Sequence, residues 1–393
     1  MLLYPSYLMI NHNIALLLLA GIYSPAETTD LLPDGCNMIN KIAMALLAIA
    51  GFSHTANAVE VIAYSPPFEA NKQATKIHYQ PLDTASKPWK LCAVYPHLKD
   101  SYWLSVNYGM VEHAKKLGVE LKVLEAGGYP NLDRQQSQLV DCRKWQADAI
   151  ILGTVDSLAY ENRLTQLTED IPVFATINYL DTTDPDSHDN VMARVGIDWY
   201  EMGRLTGQFL AKRHPKGSGM VNVALLPGPQ KRGGTKPVVQ GFYDATKDSD
   251  IKIVTTLWAD HSKELQRNLI QQLLASEQHF NYIVGGAVAA EVAISELRTK
   301  HLSGETQILS TYLSHGVYRG LLRGKILFAP TDKMAQQAML SVDQAVRYLE
   351  GKPLNKDLAP ILALLTPASL DSDAIAESLS PAEFRPVFHV EAP

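Results

Sequence analysis

From residue 90 onward the chain alternates between short apolar runs and longer segments with helical periodicity. In the first helical segment, Leu104, Tyr108 and Val111 recur at the i, i+4 and i+7 positions that share one helix face. Such alternation gives a parallel sheet covered by helices, because each connection between parallel strands must cross over the sheet. The sequence therefore predicts an α/β fold. The runs that predict the first strands are LCAVYP (91–96), ELKVLEA (120–126), AIILGT (149–154) and VFATI (173–177).

The same alternation begins again after a polar segment, residues 179–190, which is rich in Asp, Thr and Pro as a crossing between lobes should be. We therefore expect two lobes, each a parallel sheet flanked by helices. Residues 59–181 and 328–352 are predicted to form the N-terminal lobe, and residues 182–327 and 353–393 the C-terminal lobe and tail. The second set of strands is predicted from ARVGI (193–197), MVNVALLPG (220–228), IKIVTTLW (251–258), YIVGG (282–286) and TQILSTY (306–312).

Residues 1–58 contain the pattern of a cleavable secretory signal peptide. Lys41 provides a positive start, residues 42–51 are apolar, and Ala56-Asn57-Ala58 has the small-x-small pattern of a cleavage site. We expect translation to begin at Met38, cleavage to follow Ala58, and the segment before Met38 to be an upstream extension. The alternative is a membrane anchor formed by the apolar run IALLLLAGI further upstream, but that run is too short to span a bilayer.

Cys92 and Cys142 are the two cysteines that follow the signal peptide. Export to an oxidising compartment favours a disulfide between them. Cys92 begins the first predicted strand and Cys142 lies in the last turns of the helix that runs back beside it, so both belong to the same end of the sheet. Two buried thiols are the alternative.

Composition and motifs exclude several functions. The net charge is −6 and the Lys and Arg residues are scattered, so the basic stripe typical of nucleic-acid binding is missing from the sequence. The histidines are isolated, which argues against a metal site, and the glycine-containing loop 228–236 does not have the Lys position of a phosphate loop. We find no nucleophile–base motif and no cofactor motif, and therefore expect a protein that is not an enzyme.

Large aromatic residues and carboxylates follow the predicted strands. In open parallel sheets, ligands bind beyond the carboxyl ends of the strands, so these positions are the candidate site. Tyr102 and Trp103 are adjacent, and one of the pair could instead pack in the core, while Asp100 could serve only as a helix cap. The predicted ligand-binding residues are Asp100, Tyr102, Trp103, Tyr129, Asn178, Asp198, Trp199 and Tyr312.

The segment VGIDWYEMGRLTGQFL (195–210) resembles the first strand and helix of the second lobe in periplasmic binding proteins of the ribose-binding, LacI-like class (type I). Three further stretches are similar to the branch of this class that senses trimethylamine N-oxide (TMAO). They are KDSYWLSVNYGMVEHAKKLGV, LEAGGYPNLDRQQSQLVDC and ILGTVDSLAYENRL.

The resemblance implies a periplasmic sensor that binds TMAO between its lobes, uses no cofactor and signals through a membrane sensor histidine kinase. Aromatic ring faces suit methyl groups around a positive charge, and the N-oxide oxygen needs a hydrogen-bond donor such as an indole, a phenol or the amide of Asn178. In sugar-binding members the position of Trp199 is usually polar, so an indole there argues against a polyol ligand. The alternative is the solute-binding subunit of an ABC importer for a sugar or a methylated amine.

Overall fold

The computed structural model describes residues 58–69, 71–230, 234–276 and 278–393. The predicted translation start, the upstream extension and all of the signal peptide except Ala58 lie outside these residues. None of the helices in the described ranges combines the length and the apolar character needed to cross a bilayer.

Strands and helices alternate through most of the described chain, as predicted. In chain order the strands are β1 (Val59–Ser65), β2 (Gln73–Tyr79), β3 (Lys90–Tyr95), β4 (Glu120–Glu125), β5 (Ala149–Leu152), β6 (Val173–Ile177), β7 (Val191–Gly196), β8 (Val221–Gly228), β9 (Ile251–Trp258), β10 (Tyr282–Gly285), β11 (Gln307–Ser310), β12 (Ala329–Thr331), β13 (Asp357–Pro360), β14 (Ala363–Leu365) and β15 (His389–Val390). The helices are α1 (Ser101–Leu117), α2 (Leu132–Lys144), α3 (Leu164–Thr168), α4 (Pro185–Asn190), α5 (Trp199–Arg213), α6 (Thr235–Thr246), α7 (Lys263–Ala275), α8 (Ala287–Thr299), α9 (His315–Leu322), α10 (Met334–Leu349) and α11 (Ser372–Ala376).

The strands form two main sheets. The larger has nine strands in the order β15-β4-β3-β5-β6-β7-β13-β1-β2, and the smaller has the order β11-β10-β8-β9. Strands β3 to β7 and β13 are parallel, whereas β1, β2 and β15 join antiparallel at the two sides. The four strands of the smaller sheet are parallel. The predicted α/β architecture with parallel sheets flanked by helices is confirmed.

Two features of the strand pairing concern segments near the predicted lobe boundaries. β7 contains most of the run at 193–197 expected to open the second lobe, yet it pairs with β6 and β13 in the nine-stranded sheet. The segment 353–393, predicted to belong to the C-terminal lobe and tail, contains β13 and β15, which pair in the nine-stranded sheet. The polar segment expected as a crossing instead contains the short helix α4, capped by Asp184. The division into two lobes itself stays a prediction.

The disulfide between Cys92 and Cys142 is present. It joins β3 to α2 with 5.7 Å between the two Cα atoms, and both residues are fully buried. This distance lies within the range that a disulfide bridges without backbone movement. The bridge therefore fastens α2 to β3, an inner strand of the larger sheet, and the predicted disulfide is confirmed.

The segment between the signal peptide and β3, for which the sequence gives no assignment, packs against the nine-stranded sheet. Its antiparallel hairpin β1–β2 joins the sheet through β13. The buried carboxylate of Asp357 accepts hydrogen bonds from the Phe68 backbone N–H (3.1 Å), from Lys72 Nζ (2.9 Å) and from Arg194 Nη2 (2.5 Å). These bonds anchor the loop of the hairpin to two central strands.

A second buried carboxylate, Asp343 on α10, fixes the end of the same hairpin. It accepts hydrogen bonds from the Tyr79 hydroxyl (2.5 Å) and the Leu82 N–H (2.7 Å), and its other contacts are His113 Nε2 (2.8 Å) and Arg347 Nε (2.8 Å). Burial raises the pKa of Asp343, but the hydrogen bonds and charge of His113 and the bond from Tyr79 outweigh it, so the pKa lies below its ordinary value. The folded state therefore favours the charged carboxylate.

Replacing Asp343 by Asn should destabilise the protein by about 3 kcal/mol at pH 7, because a buried charge network loses one member. Since the pKa of Asp343 is lowered in the folded state, its stabilisation is complete above the unfolded pKa of about 3.9 and is lost as the pH falls through the folded pKa. Urea denaturation of the wild type and of Asp343→Asn should therefore differ at pH 7 and converge in acid. The control is Glu112→Gln, an exposed partner of Lys115, which should change stability by less than about 1 kcal/mol. Equal effects of the two substitutions would contradict this account.

Candidate ligand site

The turn between β3 and α1 brings two large aromatic residues into the interior. Asp100 caps α1, with its Oδ1 accepting a hydrogen bond from the Trp103 backbone N–H at 3.0 Å. The cap starts the helix just before Tyr102 and Trp103, whose side chains are 6% and 2% exposed. Both rings are thus buried, and neither is a surface residue of the helix.

A cavity of about 40 Å³ lies beyond the carboxyl ends of strands from both main sheets. Seven of the eight predicted ligand-binding residues line it, and residues following β3, β4 and β6 face residues that follow β7, β8, β9 and β11. The lining residues are Asp100, Tyr102, Trp103, Tyr129, Asn178, Trp199, Pro227, Pro229, Gly234, Thr235, Val238, His261, Thr311 and Tyr312.

The rings around the cavity contact one another at steep angles. The centroids of Tyr102 and Tyr312 are 5.5 Å apart with an interplanar angle of 84°, and those of Trp199 and Tyr312 are 6.3 Å apart at 87°. Tyr102 and Trp103 meet at 70°. Rings in edge-to-face contact present their electron-rich faces in different directions. This arrangement can surround a compact group on several sides.

The hydroxyl of Tyr102 donates its hydrogen bond away from the cavity wall. Its acceptor is Asp332 Oδ2 at 2.5 Å. Burial, followed by the charge of Asp332 and the hydrogen bond to it, raises the pKa of Tyr102 well above its ordinary value. Tyr102 therefore stays protonated, and its contribution to the cavity is a ring and not a free donor.

Two other polar groups differ in what they can offer a ligand. Asn178 Nδ2 donates to the Thr154 carbonyl oxygen (2.6 Å) and to the Tyr129 hydroxyl (3.3 Å), so both amide protons are used within the protein. By contrast, the buried Nε1 of Trp199 has no hydrogen-bond partner among the described residues. An unpaired buried donor is costly, and a ligand acceptor at the cavity would relieve that cost.

Trp199 can occupy its place because Gly234 has no side chain. A Cβ atom at position 234 would lie 2.2 Å from Trp199 Cγ, well inside contact distance. Pro229, Gly234 and Thr235, which belong to the glycine-containing loop at 228–236, therefore line the cavity.

Asp198 is the predicted site residue that the cavity does not include. Its carboxylate caps α5 and accepts a hydrogen bond from the Tyr200 N–H at 2.9 Å. Asp198 thus contacts the start of α5 and does not line the cavity.

His261 lines the cavity but is not among the residues predicted from the sequence, although it follows β9 in the same way that the predicted residues follow their strands. Its ring meets Tyr129 and Tyr312 edge-on, with centroids 6.2 and 6.1 Å away. Burial lowers the pKa of His261, and the nearby His97 acts in the same direction, while Asp100 and Asp260 oppose the shift. The sequence signal that could have identified His261 is an aromatic side chain shortly after a strand, because an imidazole packs against tyrosine rings as other aromatic side chains do.

Residues 88–386 match the family described as periplasmic binding proteins and the sugar binding domain of the LacI family. The chain belongs to this family, and it is accordingly a binding protein and not an enzyme.

Within the family, the periplasmic protein TorT of Escherichia coli (strain K12) is 43% identical over 305 residues, which are 77% of this chain and 85% of TorT. Two crystal structures of a complex between the TorS sensor domain and TorT match at 58% identity, covering 76% of this chain and 99% of the matched chain. One was determined without ligand and one with TMAO, and their TM-scores are 0.72 and 0.73. An ABC transporter solute-binding protein from Bradyrhizobium sp. BTAi1, with bound bis-tris, matches at 38% identity with a TM-score of 0.73, over 84% of this chain and 98% of its own.

We predict that His261 titrates below the ordinary histidine value of about 6.5, because burial disfavours the imidazolium. A histidine NMR titration checks this, with the His261→Asn variant used to assign the resonance. Replacing Asp100 by Asn keeps a good helix cap but removes a charge that favours the imidazolium, so the pKa of His261 should fall further. A pKa of His261 at or above the ordinary value would contradict the buried position.

Proposed function

We propose that this chain is a periplasmic sensor that binds TMAO in the cavity between the two main sheets and signals through the sensor domain of a TorS-like membrane histidine kinase. Its 43% sequence identity to TorT, whose complex with the TorS sensor domain has been determined in the presence of TMAO, supports the ligand and the partner. The observation that carries the assignment to this cavity is the combination of several aromatic rings with one unpaired indole N–H.

The rings suit the methylated end of TMAO. Its three methyl groups surround a positively charged nitrogen, and each desolvated ring face attracts such a group by about 0.5–2 kcal/mol. Tyr102, Tyr312 and Trp199 contact one another edge-on around the cavity, so they can offer faces to different methyl groups. We call these rings, together with Trp103 and Tyr129, the aromatic cage.

The oxygen of TMAO carries negative charge and only accepts hydrogen bonds. Tyr102 and Asn178 already donate their protons within the protein. Trp199 Nε1 is the buried donor that lines the cavity without a partner among the described residues. We therefore assign the indole of Trp199 two tasks, contact with the methyl groups and donation to the oxygen.

The size of the cavity supports a small ligand. About 40 Å³ is room for a few water-sized groups, on the scale where one water needs roughly 10–15 Å³. A sugar would need more polar partners than this lining, in which aromatic rings predominate, offers.

A second candidate function is cargo binding for an ABC importer, and the similarity to the Bradyrhizobium solute-binding protein favours it. The two functions differ in the partner, since an importer subunit delivers its ligand to a permease and a sensor acts on a kinase domain. Loss of the gene should abolish TMAO-dependent kinase output if the protein is a sensor, and uptake of a methylated amine if it serves an importer.

Isothermal titration of the mature protein with TMAO tests the proposal directly. We expect binding by the protein alone or together with the periplasmic domain of the kinase, and an effect of TMAO on the affinity of the two proteins, because a ligand shifts an equilibrium by its differential affinity for the two states. Absence of TMAO-dependent heat in both titrations would overturn the proposed ligand.

Replacing Trp199 by Phe should weaken TMAO binding by about tenfold, because the ring remains but the donor to the charged oxygen is lost. Affinity for tetramethylammonium, which has no oxygen, should change much less. The matched control is Trp258→Phe, since Trp258 ends β9 outside the cavity lining. Equal losses for the two ligands would show that the indole contributes only its ring.

A further inference from the structure

A fully buried carboxylate lies directly behind the aromatic cage. Asp332 is 0% exposed and does not line the cavity. Its Oδ2 accepts hydrogen bonds from the Tyr102 hydroxyl (2.5 Å) and from Gln337 Nε2 (2.7 Å), and its Oδ1 is buried without a hydrogen-bond partner among the described residues.

Burial raises the pKa of Asp332 above its ordinary value, while the hydrogen bonds from Tyr102 and Gln337 act in the opposite direction. A buried carboxylate loses its hydration, and two hydrogen bonds to one oxygen restore only part of it. Of the described cationic residues, Lys333 is the neighbour in sequence, but its ammonium pairs with Glu377 at 2.7 Å. The hydrogen-bond partners of the Asp332 carboxylate are thus neutral groups, a phenol and an amide.

Asp332 lies behind the aromatic cage, on the segment of the chain that passes from one main sheet to the other. The chain runs from Phe328, which bridges to Leu309 of β11, through β12 and Asp332 into α10, which packs against the nine-stranded sheet. Lys333 has a φ of 52°, a conformation that few residues other than glycine adopt. Asp332 thus lies between β12 and the start of α10, within hydrogen-bond distance of Tyr102.

We propose that Asp332 is a positioning residue that acts through Tyr102 and makes the cavity select positively charged methylammonium groups over neutral groups of the same shape. This inference rests on the proposed function and extends it to ligand class. By accepting a hydrogen bond from the Tyr102 hydroxyl, the carboxylate fixes the plane of the Tyr102 ring and adds electron density to it. Both effects strengthen the binding of a cation at the ring face. A neutral tert-butyl group is bound more strongly only because the ring is held in place.

The test compares ligands of similar shape and different charge. The affinities for TMAO, tetramethylammonium and the neutral tert-butanol are measured by titration for the wild type, Asp332→Asn, Tyr102→Phe and the double variant. Asparagine keeps an acceptor oxygen for the Tyr102 hydroxyl, removes the charge and replaces the other oxygen by an NH₂ group. Phenylalanine keeps the ring and removes the hydrogen bond. Thermal melting shows whether each variant folds.

We expect each single substitution to weaken TMAO and tetramethylammonium binding by about tenfold, with tert-butanol binding nearly unchanged. Because Asp332 acts through Tyr102, the double variant should bind these cations no more weakly than the weaker single variant. If Asp332→Asn does not fold, the same selective loss in Tyr102→Phe supports the inference.

Several outcomes would overturn it. Equal losses for charged and neutral ligands would show a purely structural role for Asp332, as would additive losses in the double variant or unchanged affinity for all ligands. In those cases the wild type still binds TMAO and the proposed function stands. Absence of wild-type binding to both TMAO and tetramethylammonium would instead overturn the proposed function, and this inference with it.

Discussion

The parallel direction of the strands is the constraint on which the site depends. Every parallel strand ends at the same edge of its sheet, so residues far apart in sequence meet there. Tyr102 and Tyr312 are separated by most of the described chain, yet their ring centroids are 5.5 Å apart. The helices that follow the strands then determine which side chains reach the site. A capping residue such as Asp100 fixes where its helix starts, and with it which side chains point inward.

Much of the fold and of the candidate site could be predicted because both follow local rules. Alternating apolar runs and helical periodicity identify βα units, and aromatic residues after strands such as Tyr129 and Trp199 stand out against the small polar residues expected at turns. Asp198 shows the limit of that rule. A carboxylate directly before a helix is equally typical of a helix cap, and Asp198 caps α5.

The features that could not be predicted depend on pairing over long distances. Asp332 sits at the end of a three-residue strand, and only the folded chain shows that its carboxylate meets Tyr102, 230 positions earlier. The sheet that β13 and β15 join could not be predicted for a similar reason, because neither strand carries a sequence signal for its pairing partners. His261 was discounted as an isolated histidine, since sequence does not show that tyrosine rings from two other strand ends pack on it.

The hairpin β1–β2 has a consequence for how the molecule is assembled. Its contacts with the sheet run through β13, with Val61 opposite Pro360 and Ala63 opposite Leu358. Among the described strands, β1 and β2 are the first to leave the ribosome or a translocation channel. They can therefore join the sheet only after β13, one of the last strands, has also emerged. Contacts with so large a separation along the chain form slowly, so the final edge of the sheet is completed late, and until then β13 offers an open side on which other chains could pair.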